Sequence, residues 1–247
     1  HLKPDAVVIV ATVRALKMHG GGPTVVPGKP LDAAYIEENL PMLEAGCSNL
    51  IAHINTVKLS GVSPVVCING FYTDTKAEHD LIRRIAEANG ARCAVSEHWL
   101  KGGQGAVELA EAVVAACEEE NQFDFLYDLN MSFKDRVHAI ATQIYGASDV
   151  EWSDVAEEKI TRYEVDPEAR KMGMCMVKTH LSLSHSPDLK GAPKGWVLLI
   201  RDVLIYKGAG FIVPVAGDIK LLPGTCSNPG YRRIDVDLQS GKVTGLF

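Results

Sequence analysis

No stretch of this sequence approaches the run of about 18 apolar residues that a membrane-spanning helix requires. It carries no basic excess either: 25 Lys and Arg stand against 31 Asp and Glu, a net charge of −6. No basic stripe interleaved with aromatics is present, so a nucleic-acid footprint is not expected. The six cysteines (Cys47, Cys67, Cys93, Cys117, Cys175, Cys226) are scattered and none has CxxC spacing, which argues against a zinc site. They read as reduced, buried small hydrophobes of a cytosolic protein. No internal repeat, low-complexity tract or signal peptide is read, and no Ser-His-Asp order, paired acid on one helix or metal triad can be picked out. His180 and His185 are five apart, which suits neither one helix face nor one strand face. What remains is an ordinary globular composition, 47% apolar and 23% charged, long enough for one large core or two smaller domains.

The chain begins at His1 without methionine and enters the strand Ala6-Val7-Val8-Ile9-Val10-Ala11 within five residues. This looks like the cut end of something longer. That uninterrupted apolar run reads as a central strand covered on both faces. The glycine-rich turn after it does not fit a Walker A loop. Such a loop needs glycine five residues before Gly28-Lys29, where Pro23 stands, and Ser or Thr after Lys29, where Pro30 stands. A mobile surface loop is expected instead, although Arg14, Lys17, His19, Gly20 and Gly21 could face an anion from the strand's carboxyl end. Asp32 caps a helix that Gly46 interrupts, and a second helix, in which His53 reads as a satisfied core histidine, ends at Gly61.

The rest is organised around residues 65–105. Pro64-Val65-Val66-Cys67-Ile68 and Ala91-Arg92-Cys93-Ala94-Val95-Ser96 read as successive strands, joined by an amphipathic helix bearing Leu81, Ile82 and Ile85. Parallel neighbours open at the same sheet edge, where α/β proteins bind ligands. Phe71 and Trp99 follow the two strands at equivalent places. They form either a clamp for a flat ligand or a pair of rings capping the core. Beside them lie Thr73, Asp74 and Thr75, and the turn Gly102-Gly103-Gln104-Gly105, which opens a helix with Val107, Leu109, Ala110, Val113 and Val114 inward and could hold an anion. A clamp with anion-holding turns suits a heteroaromatic substrate with a charged tail.

Ser132 caps a helix closed by Gly146, residues 150–165 form another amphipathic helix, and from Gly173 short apolar runs alternate with turns, including one at Ser240-Gly241. Residues 196–200 and 203–206 read as separate strands around Arg201-Asp202. The fold class is α/β: a mostly parallel sheet flanked by helices, followed by a smaller, strand-rich α+β C-terminal domain. The divisions are residues 1–60, 61–147 and 148–247.

The run Lys3-Pro4-Asp5-Ala6-Val7-Val8 with Ala11-Thr12-Val13-Arg14-Ala15-Leu16-Lys17-Met18-His19-Gly20-Gly21 closely resembles a signature of formate–tetrahydrofolate ligases. Asn69 with Phe71 and Thr73-Asp74-Thr75, Trp99 with Lys101-Gly102-Gly103, Lys178-Thr179 with Ser182-Leu183-Ser184, and Gly208-Ala209-Gly210-Phe211 with Gly217-Asp218-Ile219 and Pro223-Gly224 resemble further blocks in the same order. The resemblance covers the C-terminal part of that family, somewhat under half. It implies a cytoplasmic, ATP-dependent ligase that converts formate to formyl phosphate and passes the formyl group to N10 of tetrahydrofolate. It further implies a P-loop NTPase-like fold, in which residues 1–60 complete the nucleotide-binding domain and residues 61–147 bind folate. The pair matching Phe71 and Trp99 stacks the pterin, with Thr73, Asp74, Gly102 and Gly103 as further folate contacts. Arg14, Lys17, His19, Gly20 and Gly21 are candidate nucleotide contacts. ATP with Mg²⁺ is implied, with room for a monovalent cation, as is an N-terminal polypeptide carrying the phosphate loop and the main catalytic groups. A homo- or hetero-oligomer fits the same pattern. The rival reading is a non-catalytic folate-binding or assembly module.

Overall fold

The computed structural model describes residues 3–26, 28–217, 228–236 and 243–245. They fall into two compact units, residues 1–217 and 218–247. Cys226, Asp218-Ile219, Pro223-Gly224 and the Ser240-Gly241 turn lie outside the described residues.

The larger unit opens with strand β1 (Ala6–Ala11), helices α1 (Val13–His19), α2 (Ala33–Ile36) and α3 (Leu40–Leu59), strand β2 (Ser63–Asn69) and helix α4 (Lys76–Ala88). Strand β3 (Arg92–Ser96), a single turn α5 (His98–Lys101), a 3₁₀ turn over Gly102–Ala106 and helix α6 (Val107–Cys117) follow. The three strands form a parallel sheet in the order β1-β2-β3. Local chemistry sets the helix starts. Thr12 caps α1, Asp32 caps α2, and Thr75 with Glu78 forms a reciprocal capping box on α4. Leu16, Leu43, Cys47, Leu50, Ile54, Val66, Ile68 and Ile82 build the core between the helices and one face of the sheet.

Three expectations change here. Gly46 does not interrupt a helix; α3 runs straight through it. Its value is close approach, because a Cβ at Gly46 would lie 1.7 Å from the Leu16 carbonyl oxygen, and one at Gly20 would lie 1.8 Å from that of Met42. Two glycines thus let the backbones of α1 and α3 touch. Secondly, β1 is not covered on both faces. Among the described residues it is the sheet edge, with Val8 40% and Val10 65% exposed beside buried Val65 and Cys67. Thirdly, α6 turns Val107, Ala110 and Val114 to solvent and packs through Ala116 and the half-buried Leu109 and Val113.

After α6 come α7 (Phe133–Ala139), capped by Ser132, a π turn over Ile140–Ile144, strand β4 (Asp149–Trp152) and helix α8 (Asp154–Glu164). The segment read as one helix from residue 150 is therefore a strand and then a helix, parted at Ser153, whose hydroxyl caps α8. Strands β5 (Gly173–Met174), β6 (Val197–Tyr206) and β7 (Phe211–Ala216) complete a mixed sheet in the order β4-β6-β7-β5. The two runs flanking Arg201-Asp202 are one strand, β6, with a bulge between Ile200 and Asp202. Phe133, Val137, Ile160, Leu198, Ile200, Val203 and Ile212 form a second core. Arg136 is fully buried beside it, its guanidinium donating to the carbonyls of Met131, Met172, Arg170 and Leu129. The smaller unit contributes a 3₁₀ turn over Gly230–Arg232 and the antiparallel pair β8 (Asp235–Val236) and β9 (Val243–Thr244).

Of the cysteines, Cys47, Cys67 and Cys93 are buried and free, whereas Cys117 and Cys175 are exposed. The expectation of burial therefore fails for those two. No helix of the described residues is long and apolar enough to cross a membrane.

Candidate functional site

The register of β2 and β3 pairs Asn69 with Ser96, and Gly70 N–H donates to the Ser96 carbonyl at 3.0 Å. The chain leaves both strands at this level, which places Phe71 and Trp99 on one cleft of about 520 Å³. Arg14, Asn69, Glu97, His98 and Leu100 complete much of its wall. Phe71 is 37% exposed and Trp99 90%, so neither ring is a core cap. Arg14 comes from the first turn of α1. Its guanidinium lies 4.3 Å from the Phe71 ring centre and donates through Nη2 to Thr73 Oγ1 at 3.2 Å. One face of Phe71 is thus backed by a cation. His98 Nδ1 sits 2.9 Å from Ser96 Oγ, and Glu97 is paired with Lys101.

The other candidates have different placements. Thr73 holds Arg14. The Asp74 carboxylate is buried, accepting from Phe71 N–H at 2.9 Å and lying 3.3 Å from His79 Nε2, so it fixes the loop that carries the ring. Gly102 and Gly103 are exposed next to Trp99 in the chain but do not line the cleft; Gly102 has φ +59°, a turn geometry that favours glycine. Lys17 is 1% exposed and forms a 2.6 Å ion pair with equally buried Glu78, while donating to the Glu37 carbonyl at 2.7 Å. Gly20 serves the helix crossing, and Gly21 (φ +98°) turns the chain. His19 accepts from Gly191 N–H through Nδ1 at 3.1 Å, away from the ring cleft. Of the five residues after β1 that read as one anion face, Arg14, Lys17 and His19 therefore point to three different places, and Gly20 and Gly21 serve the backbone. Glu97 and His98 are among the cleft residues that sequence reasoning missed, with Tyr72 and Leu100; their position beside Phe71 and Trp99 in the chain was the available signal.

Among the described residues no group of three or more His, Cys, Asp or Glu side chains could hold a metal ion.

The fold and the cleft define an α/β protein that opens an aromatic, partly charged slot at the carboxyl edge of a parallel sheet, the edge at which proteins of that architecture bind ligands. Comparison with known proteins narrows this class. The chain belongs to the formate–tetrahydrofolate ligase family, which it matches over residues 1–247. It is 58% identical to a formate–tetrahydrofolate ligase of Desulforapulum autotrophicum over 246 residues, covering 100% of this chain and 42% of that protein. It is 60% identical to the Dehalococcoides mccartyi enzyme of the same description, covering 100% of this chain and 41% of the relative. For Desulfotalea psychrophila the identity is 58%, with 99% and 44% covered. The chain thus spans under half the length of these relatives.

Proposed function

We propose that this chain is the C-terminal part of an ATP-dependent formate–tetrahydrofolate ligase and supplies the site that stacks the pterin. The observation that carries the reading is the shared cleft of Phe71 and Trp99, with Arg14 behind the phenyl ring. A planar bicycle lying between these rings gains dispersion and offset stacking, worth about 1 kcal/mol beyond the area it buries. Asn69, Glu97 and His98 stand where its polar edge would need hydrogen-bond partners. Residues 1–60 then complete a P-loop NTPase-like nucleotide domain, residues 61–147 hold folate, and residues 148–247 form the strand-rich remainder.

In the proposed reaction a formate oxygen attacks the γ-phosphorus of ATP and ADP leaves. N10 of tetrahydrofolate then attacks the formyl carbon, phosphate leaves and the N10 proton is lost. The first step depends on positioning and charge neutralisation by a phosphate loop. Neither Gly-x-x-x-x-Gly-Lys-Ser nor its threonine form occurs in these 247 residues. An N-terminal polypeptide carrying that loop would provide ATP binding in the cytoplasm, adding a strand beside β1 and completing an oligomer. The second reading, a folate-binding or assembly module without its own catalysis, is favoured by one fact: no catalytic constellation beyond the ring cleft is found among the described residues.

The test is tetrahydrofolate titration followed by tryptophan fluorescence. Saturable quenching that disappears in Trp99→Ala while Trp152 and Trp196 remain supports the clamp; quenching that survives the substitution overturns it. Product formation from ATP and formate by the isolated chain would refute the need for a partner. Recovery of activity on adding a phosphate-loop polypeptide would favour the ligase part over the module.

A further inference from the structure

Phe71 is held in place by two side chains that do not line the ring cleft, Asp74 and His79. Asp74 grips the Phe71 backbone twice. Its N–H donates to the Phe71 carbonyl at 3.0 Å, and Phe71 N–H donates to Asp74 Oδ2 at 2.9 Å. The same Oδ2 lies 3.3 Å from Nε2 of His79, which stands near the start of α4. The Asp74 side chain is 1% exposed and that of His79 19%. A carboxylate so enclosed is costly without donors, so releasing Phe71 N–H would strand it. The turn over residues 71–74 therefore has one favoured arrangement.

His79 also reaches the junction of the two ring-bearing segments. A Cβ at Gly70 would lie 3.4 Å from His79 Cε1 and 3.6 Å from Glu97 Cγ, so this glycine has the imidazole and the Glu97 stem as close neighbours. Gly70 N–H donates to the Ser96 carbonyl, which ties the start of the Phe71 turn to the end of β3. Arg14 adds a third tether through Thr73 Oγ1. Trp99, by contrast, stands 90% exposed on the single turn α5. Phe71 is thus the wall of the cleft whose place is set by buried groups.

We propose that Asp74 and His79 are positioning residues for the ligand of the ring cleft. They fix Phe71 at its station opposite Trp99 before the ligand arrives and do not touch the ligand themselves. Holding the ring in its binding arrangement removes the ordering cost that a loose turn would add to association. This role rests on the pterin-stacking reading of the cleft.

The experiment titrates tetrahydrofolate into the 247-residue chain by tryptophan fluorescence. It compares the wild type with Asp74→Ala, Asp74→Asn, Phe71→Leu, and Phe71→Leu combined with Asp74→Ala. Asp74→Ala should weaken binding about ten-fold, as for the loss of one charge-assisted hydrogen bond. Asp74→Asn, whose amide oxygen still accepts from Phe71 N–H, should bind within about three-fold of wild type. In the Phe71→Leu background, Asp74→Ala should change affinity by less than about two-fold, because residues acting through one side chain do not add. Hydrogen exchange of the Phe71 amide, read without ligand, should accelerate in Asp74→Ala and not in Asp74→Asn, while the Ile82 amide of α4 reports an intact fold. If Asp74→Ala does not fold, His79→Ala replaces it, with the same dependence on Phe71 expected. Wild-type affinity in the folded variant, unchanged Phe71 exchange, or an effect equally large in the Phe71→Leu background overturns the positioning role and leaves the folate reading standing. Absence of saturable quenching in the wild-type chain overturns the folate reading, and this role falls with it.

Discussion

Lys17 and Glu78 meet at 2.6 Å with each side chain only 1% exposed, joining α1 to the first turn of α4. Glu78 Oε1 also accepts from Asn39 N–H, and Oε2 from Thr75 N–H, so one carboxylate secures the start of two helices. Glu78→Gln leaves a buried ammonium without its counter-charge. It is expected to cost about 3–5 kcal/mol, read as a lowered urea midpoint. The double variant Lys17→Met with Glu78→Gln should recover part of that loss; if the single change is neutral, the pair does not hold the fold.

On the proposed folate reading, Arg14 is expected to bear on ligand affinity more than on stability. Arg14→Met keeps an apolar stem against Phe71 but removes the cation and the bond to Thr73. Tetrahydrofolate affinity should fall by roughly 0.5–2 kcal/mol, the range of a cation–π contact, with the thermal midpoint moving little. Parallel titrations of Trp99 fluorescence measure it. Arg14→Lys should restore only part, because the planar fork is lost.

The crossing of α1 and α3 tolerates no side chain at its contact. Gly46→Ala must push the helices apart and should cost about 1–3 kcal/mol. Gly103→Ala meets nothing within 4 Å and serves as the matched control, expected to be near neutral. Thermal unfolding of the two variants decides it, and equal midpoints would contradict the close approach.

Stability should also carry two pH signatures. His19 and His53 sit below the ordinary imidazole value, first through loss of water and then through neighbouring basic groups. The unfolded chain therefore takes up protons first as pH falls through about 6.5, and stability drops there. Lys178 is depressed by burial to about 8, against 10.5 unfolded. Between those values the unfolded state holds the extra proton, so this residue makes stability rise with pH. Cys47, raised by burial to about 11, and Cys93, to about 12, act in the opposite sense, because their unfolded thiols ionise first. Comparison with variants separates these contributions. Urea midpoints at pH 5.5, 7.0 and 9.5 should show a smaller acid loss in His19→Gln with His53→Gln, and a smaller alkaline gain in Lys178→Met.

The parts of this molecule that were legible in the sequence are those written in local pattern. The strands ending near Asn69 and Ser96 announce themselves by β-branched runs and turn residues, and their exits foretold that Phe71 and Trp99 would share a cleft. Capping by Asp32 and Ser132 was equally local. What was not legible depends on partners distant in the chain. Gly46 looks like a helix stop until Leu16 is seen lying against it. Val107 and Val114 look inward until the helix is seen to pack through Leu109, Val113 and Ala116 instead. Lys17 looks like an anion contact because Glu78, which neutralises it, lies 61 residues away. Asp149 to Trp152 is too short and too charged to stand out as a strand, and only pairing with β6 makes it one.

The exposed flank of β1 sets a practical ceiling. A strand whose outer amides and carbonyls have no partner among the described residues, with Val8 and Val10 exposed on its face, is a template for its own copies. At high concentration such a chain tends to stack flank to flank and leave solution. A foreign strand laid along that border would occupy the same hydrogen-bonding row and so block stacking of one copy on another.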